Sequence, residues 1–253
     1  MSHPNRFHAP FEGRDSDRIQ LPPEEAHHAL RVARLKPGDV VSVFNGRGDE
    51  VSGVLAPAGK RDLFVEVRER TYCPPPTVAI TVALGGLHQD KAQQEVIRRA
   101  VETGASRVCF WRADHSQRPM TVQDRWMRAA VEACKQCGRS HLPIIDAAPS
   151  LEAVLDTCPG PGIIGLIEAD HAMPVTLEVS AGLTIVVGPE GDFSAREREV
   201  ARASGLTPVN LGDYVYRSET AASMLMTLVA HQLGVLGPPL RVGRSREGAL
   251  PTP

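Results

Sequence analysis

A chain of 253 residues, 42% hydrophobic and 23% charged, falls in the ordinary range for globular proteins, which excludes a wholly disordered chain and allows one large or two modest domains. Aromatic residues are only 4% of the total, so any core must be aliphatic. The net charge of −2 does not advertise a nucleic-acid partner, and no apolar run approaches the roughly 18 residues needed to cross a bilayer.

The opening residues, Met1-Ser2-His3-Pro4-Asn5-Arg6, are not followed by the apolar stretch of a secretory signal. The expectation is a cytoplasmic protein with no membrane association. The first element the sequence predicts is a helix over 22–35, with Glu24 and Glu25 in its first turn and Arg31 and Arg34 near its end, charges that suit the helix dipole. Val40 to Phe44, a turn at Asn45-Gly46-Arg47-Gly48 and Val51 to Leu55 read as a hairpin. Leu63, Val65 and Val67 then alternate as one more strand. Short strands with Gly-rich turns over about 70 residues predict a small β-barrel. Cys73-Pro74-Pro75-Pro76 is a stiff extended connector, since consecutive prolines fit neither a helix nor a central strand.

Beyond the prolines, apolar runs alternate with helical stretches. Strands are expected at 78–84, 107–111, 142–145, 163–167 and 183–187. Helices are expected at 90–103, closed by Gly104, and at 122–137, closed by Gly138. Buried strands separated by helices imply a parallel α/β sheet. The expected division is a barrel over 1–72, a second domain over 77–237, and a loose Pro-, Gly- and Arg-rich tail over 238–253. Charge is unevenly spread: residues 85–145 hold ten Lys/Arg against six Asp/Glu, and 146–199 hold two against ten. A basic middle could follow a phosphate backbone, and it could equally be a solvated helix face.

Five cysteines with no secretion signal argue for free thiols. Cys134 and Cys137 form a CxxC, but without a second CxxC or a His pair at zinc-finger spacing. They read as two thiols on one helix rather than as a metal site.

In open α/β sheets ligands sit beyond the carboxyl ends of strands. Three such ends are unusual here. One is Leu166-Ile167-Glu168-Ala169-Asp170. Another is Val187 running into Gly188-Pro189-Glu190-Gly191-Asp192-Phe193-Ser194, where the glycines allow close backbone approach and Pro189 stiffens the bend. Ser194 and Glu197 fit a capping box for a helix over 195–203. The last is Asn210-Leu211-Gly212, leading to Tyr216-Arg217-Ser218-Glu219-Thr220-Ala221 and a helix over 218–233 that is apolar on nearly every face, as a core helix or a dimer seam would be. Arg217 and Glu219 read either as a structural ion pair or as part of a site. No GxGxxG or GxxxxGK[ST] motif occurs, which argues against a dinucleotide dehydrogenase or a P-loop NTPase.

Taken in order, Gly188-Pro189-Glu190-Gly191 with Phe193-Ser194, Leu211-Gly212, and Arg217 with Glu219-Thr220-Ala221 resemble the C-terminal signature of the SPOUT methyltransferases. More narrowly, they resemble the bacterial 16S ribosomal RNA uracil-N3 methyltransferase family, which modifies uracil-1498. Glu132-Ala133-Cys134-Lys135-Gln136-Cys137-Gly138-Arg139 with Pro143 is similar to that family's central helix motif, and Glu102 and Gly104 match the end of the preceding helix. His27-His28, Leu30-Arg31-Val32, Arg34, Gly38-Asp39 and Asn45-Gly46-Arg47-Gly48 are similar to its N-terminal RNA-binding domain. The chain departs from the pattern at Ala92 and Gln94, where a basic residue and a Glu are usual, at Tyr214 and Tyr216, and at Asp192, where Gly is usual.

The resemblance implies a PUA-like barrel, a parallel sheet whose C-terminal chain forms a trefoil knot, and a homodimer. It implies an S-adenosylmethionine pocket built from Leu166, Glu168, Val187, Gly188, Pro189, Glu190, Gly191, Asn210, Leu211, Gly212, Tyr216, Thr220 and Ala221. RNA contacts are expected at Arg6, Arg31, Arg34, Arg47 and Arg139, with 16S RNA in the small ribosomal subunit as the partner and no metal. N3 of uracil lies on the Watson–Crick edge, so the base must be unpaired to react. Arg217 is expected to steady charge on the uracil oxygens and Glu219 to orient Arg217; no general base stands out. A non-catalytic RNA-binding protein with a decayed donor site, and a SPOUT enzyme acting on a different RNA, are the alternative readings.

Overall fold

The structure, a computed structural model, describes residues 5–12, 16–58, 62–116, 119–158, 160–170 and 182–236. Two sheets organise it. The first has five strands: β1 (Asn5–His8), β2 (Arg18–Gln20), β3 (Val40–Phe44), β4 (Asp49–Ala58) and β5 (Asp62–Tyr72), in the order β1-β3-β4-β5-β2. Its alternating inward residues, among them Phe7, Ile19, Val41, Val43, Leu55 and Val65, close on one another as a core of their own. The register of β4 against β5 shifts at Gly53, where a Cβ would stand 2.1 Å from the Glu66 carbonyl oxygen. Only glycine allows the strands to approach so closely at that bulge.

The helix expected over 22–35 is shorter and changes type. Helix α1 spans Pro23–His27, and a π-helical turn follows over His28–Val32, where Ala33 N–H reaches the His28 carbonyl. Arg34 ends the turn with a left-handed φ of 57°. The wider turn has a consequence in packing: it brings the His28 ring, with Glu25, onto Lys135 of the second unit.

The second sheet is wholly parallel, with six strands: β6 (Ala79–Gly85), β7 (Arg107–Trp111), β8 (Ile144–Ala148), β9 (Gly162–Gly165), β10 (Gly182–Val187) and β11 (Thr207–Val209), in the order β11-β9-β10-β6-β7-β8. Its strands are apolar on both faces because helices cover both. Ile80, Val82 and Leu84 of β6, Val108 and Phe110 of β7, and Leu183, Ile185 and Val187 of β10 point to one side. There they meet α2 (Asp90–Glu102), α3 (Asp124–Cys137) and α6 (Ser218–Gln232). Ala83, Cys109, Trp111 and Val186 point to the other, against α4 (Leu151–Leu155) and α5 (Ala195–Ala203). Gly104 and Gly138 close α2 and α3 at φ 87° and 81°, conformations that favour glycine. The strand predicted at 142–145 runs two to three residues later, because His141 and Leu142 are drawn onto the first unit.

The sheet order turns back on itself at β6 and β10. β7 and β8 extend it one way, and β9 and β11 the other. Such a switch point leaves a crevice at the carboxyl ends of the central strands. Residues 171–181 of the connection from β9 to β10 lie outside the described residues, as does the predicted tail over 238–253.

The two units are joined by buried polar contacts. The hairpin tip between β3 and β4 docks on the segment after α3: Leu142 N–H donates to the Gly46 carbonyl, and Gly48 N–H to the Ser140 carbonyl, at 2.9 and 3.0 Å. Gly48, at φ 97°, could carry no side chain, since a Cβ there would lie 2.3 Å from the Cys73 carbonyl oxygen. Arg6, 8% exposed, donates to Glu50 and Ser140 and to the Cys134 and Arg139 carbonyls. Lys135 and Glu25 form a buried ion pair at 3.1 Å, with Glu132 as a second carboxylate at 2.8 Å from the ammonium.

Candidate functional site

A cavity of about 540 Å³ opens at that switch point, within the size range of small-molecule sites. The ends of β9, β10 and β11 and the start of α6 line it, and Gln89 and Ala92 at the start of α2 complete it. Of the residues expected to hold the donor, Leu166, Val187, Gly188, Pro189, Glu190, Asn210, Leu211, Gly212, Tyr216 and Ala221 lie in its wall, as do Arg217 and Glu219. Glu168, Gly191 and Thr220 do not line it. Glu168 instead pairs with Arg198.

The loop after β10 is held from several sides. Pro189 packs on Gly85 at the end of β6, so closely that a Cβ on Gly85 would lie 2.7 Å from the Pro189 nitrogen. Glu190 accepts a hydrogen bond from His88 N–H at 3.0 Å, which ties the loop to the segment before α2. Asp192 takes a left-handed φ of 62°, a conformation that glycine adopts without strain. It is held there by its own carboxylate, which accepts from Phe193 N–H at 2.8 Å and pairs with Arg198 at 2.7 Å. Phe193 lies over Gly188, whose absent Cβ would stand 3.0 Å from the ring.

Two of the loops are tied by Asn210. Its amide nitrogen donates to the Ala169 carbonyl at 2.5 Å, and its oxygen accepts from Gly212 N–H at 3.1 Å. Gly212 itself adopts φ 98°. The Asn210 side chain therefore shapes the cavity, whose wall combines the apolar residues Val187, Leu166, Leu211 and Phe193 with the polar Glu190, Arg217 and Glu219. Loops rich in backbone N–H and C=O groups beside an apolar wall suit a neutral ring system and its polar edges.

Arg217 and Glu219 were expected to pair. They do not: Arg217 is the N-cap of α6, and neither side chain has an ion pair or a hydrogen bond among the described residues. Arg217 stands before the first turn of α6 and Glu219 within it, and each lines the cavity separately. Arg217 is thus an uncommitted cation in the wall.

The expected RNA-contacting arginines separate into two groups. Arg31 and Arg34 are exposed on and just after the π-helical turn. Arg47 is exposed but engages Glu12 at 3.2 Å. Arg6 is buried at the joint between the units, so it differs from expectation: all its contacts are to protein. Arg139 is half-buried, donates to the Val101 carbonyl at 3.2 Å, and burial pushes its guanidinium below its ordinary value. The motif from Glu132 to Arg139 therefore works as the seam between the units. In its CxxC, Cys134 is buried and its thiol is pushed up to about 12 by that burial, while Cys137 is exposed. No group of three or more His, Cys, Asp or Glu side chains that could hold a metal occurs among the described residues. No helix among them is long and apolar enough to cross a membrane.

Sequence reasoning missed Gln89 and Ala92, and also Ile167, Tyr214 and Val215. The first two had a usable signal, because Leu84-Gly85-Gly86 is itself a strand end beside β10. Tyr214 and Val215, 77% and 74% exposed, carry no pattern that marks them.

Residues 74–230 match the RNA methyltransferase domain family, and residues 21–68 match the RNA methyltransferase PUA domain. A Rickettsia conorii protein named ribosomal RNA small subunit methyltransferase E is 28% identical over 242 residues, covering 92% of this chain and 96% of that protein. The structure of a probable rRNA-methyltransferase from Porphyromonas gingivalis is 30% identical with a TM-score of 0.80, over 91% of this chain and 99% of that one. The fold is also shared by ribosomal RNA small subunit methyltransferase E from Neisseria gonorrhoeae bound to S-adenosyl methionine, at 23% identity and a TM-score of 0.79, over 91% of this chain and 98% of that one.

Proposed function

The chain belongs to the RNA methyltransferase family, and from that premise we propose that it methylates N3 of uracil-1498 in 16S ribosomal RNA of the small subunit, with S-adenosylmethionine as donor. The observation that carries the reading is the cavity at the ends of β9, β10 and β11 with the uncommitted Arg217 in its wall. Its apolar faces suit an adenosyl group, and the sequence holds no GxxxxGK[ST] loop of the kind that cradles a polyphosphate. The donor supplies an electrophilic methyl on a sulfonium. Loss of the N3 proton from uracil leaves a nitrogen pair that forms the new N–CH₃ bond as the S–CH₃ bond breaks, giving N3-methyluracil, S-adenosylhomocysteine and one proton.

Opposite charges are consumed in that step, so a site that excludes water favours it. In this reading Arg217, which lines the cavity, holds the charge that develops on the uracil carbonyl oxygens. Glu219 serves a separate role in the same wall, since it does not orient Arg217. The exposed Arg31 and Arg34 suit phosphate contacts on the barrel. The matched regions, 21–68 and 74–230, support a division into a barrel over 1–72 and a methyltransferase domain over 77–237; the tail over 238–253 lies beyond both matches and outside the described residues.

A homodimer is part of this reading. One side of α6 packs into the core, through Ala222, Leu225, Met226 and Val229, while Leu228, like Val235 beyond the helix, stays exposed. Calorimetric titration of S-adenosylmethionine into the protein, with mass followed by light scattering, tests both parts. Saturable binding by a particle of twice the chain mass is expected. A monomer would overturn the dimer, and absence of binding would overturn the donor site.

A further inference from the structure

The buried carboxylate of Glu197, on the first turn of α5, meets more than a helix cap requires. In a capping box the N3 carboxylate needs one partner, the N-cap N–H, and its other oxygen ordinarily faces water. Here Glu197 accepts from Ser194 N–H at 2.8 Å, while Ser194 Oγ accepts from Glu197 N–H at 3.1 Å. Yet Glu197 is 1% exposed. Its second oxygen accepts the indole N–H of Trp111 at 3.1 Å, from the end of β7, and Asp114 N–H at 3.2 Å, from the loop beyond. Among the described residues no cation pairs with it: neighbouring Arg196 is engaged by Asp114 and Glu152. A carboxylate buried among N–H donors alone is costly unless each lone pair is used.

What those donors hold bears on the cavity. The Trp111 ring stacks on Phe193 at 6.1 Å between centroids and 17° between planes. Phe193 in turn lies against Gly188 and forms part of the cavity wall. We infer that Glu197 is a positioning residue for the donor: through Trp111 and Ser194 it fixes Phe193 and the loop after β10 at the spacing the donor needs. The inference rests on the reading of this cavity as the S-adenosylmethionine site. Only an acceptor at both oxygens serves, because glutamine would turn an NH₂ group toward an N–H donor.

The test is the split between donor affinity and turnover in Glu197→Gln and Trp111→Phe. The second variant keeps an aromatic ring and removes one N–H, so it carries the test if the first folds poorly. For Glu197→Gln, Kd and KM for S-adenosylmethionine are expected to rise about tenfold, with kcat at saturating donor and KM for RNA within about threefold of wild type. For Trp111→Phe the donor constants are expected to rise about threefold, in the same pattern. Donor constants within twofold of wild type in both variants would overturn the inference. So would activity that falls only in proportion to the loss of folded protein. A wild-type chain that binds no donor would instead sink the reading of the cavity, and this inference with it.

Discussion

Arg217 is the residue on which the chemistry turns. It caps α6 with an extended backbone, carries no protein partner among the described residues, and lines the cavity. Removing such a group leaves no buried counter-charge behind, so its loss should cost little stability. Arg217→Ala is therefore expected to unfold within a few degrees of wild type and to bind donor normally, while kcat falls about 100-fold, the usual scale for one preorganised charge-stabilising donor. Steady-state kinetics on RNA substrate checks this, and near-normal turnover would remove Arg217 from the mechanism. Asp192 makes a different point at the same scale. It accepts a left-handed backbone that glycine adopts freely, and offsets the strain with a bond to Phe193 N–H and an ion pair with Arg198.

At the scale of elements, much of the second unit is legible in the sequence. β7 and α5 begin and end where residue patterns place them, and α2, α3, β6 and β10 lie within two residues of expectation, because aliphatic runs, Gly closures and the Ser194–Glu197 capping box are local signals. What was not legible depends on contacts distant in sequence. The π-helical turn at His28 carries that ring onto Lys135, more than 100 residues away, a contact no local pattern reveals. The hairpin tip at Asn45 to Gly48 was read as an RNA-binding feature through Arg47, yet its backbone docks on Ser140 and Leu142. In the site, the loop after β10 was readable from its glycines and Pro189, and the loops after β9 and β11 as strand ends in an open α/β sheet. Gln89 and Ala92 follow a fourth strand end, Leu84-Gly85-Gly86, which was legible but not used; the lack of an Arg217–Glu219 pair was not legible, since spacing says nothing of which way neighbouring side chains turn. The joint between the units also has a pH signature. Burial raises the Glu50 carboxyl, but its bonds from Arg6 and Ser140 outweigh this and bring it below its ordinary value. A depressed carboxylate stabilises the fold above the unfolded pKa, and that contribution is lost as pH falls through the folded value. Glu25, raised mainly by burial against the pull of Lys135, has the opposite sign and cannot cause an acid loss. Glu50→Gln should thus cost about 2 kcal/mol at neutral pH, and the gap to wild type should close below pH of about 4. Thermal unfolding across pH measures it; a gap that is constant down to pH 3 would mean the bond to Arg6 does not depend on ionised Glu50.

For the molecule as a whole, the joint and the cavity together suggest how binding and chemistry are coupled. A barrel with Arg31 and Arg34 exposed is fixed to the catalytic unit by buried bonds from Arg6 and Lys135, rather than by the proline connector alone. RNA held on the barrel would then meet the catalytic unit in a set orientation, and an unpaired uracil could be presented to Arg217 beside the donor. A rigid arrangement of this kind fits one defined site in a large structured RNA better than a free nucleoside. The most direct test is to map N3-methyluridine in ribosomal RNA from cells with and without this chain, by mass spectrometry of the fragment around position 1498 of 16S RNA. The account predicts the mark in the presence of the chain, its loss on deletion, and its return with the wild-type chain but not with Arg217→Ala. Unchanged methylation of that uridine in the deletion strain would contradict it.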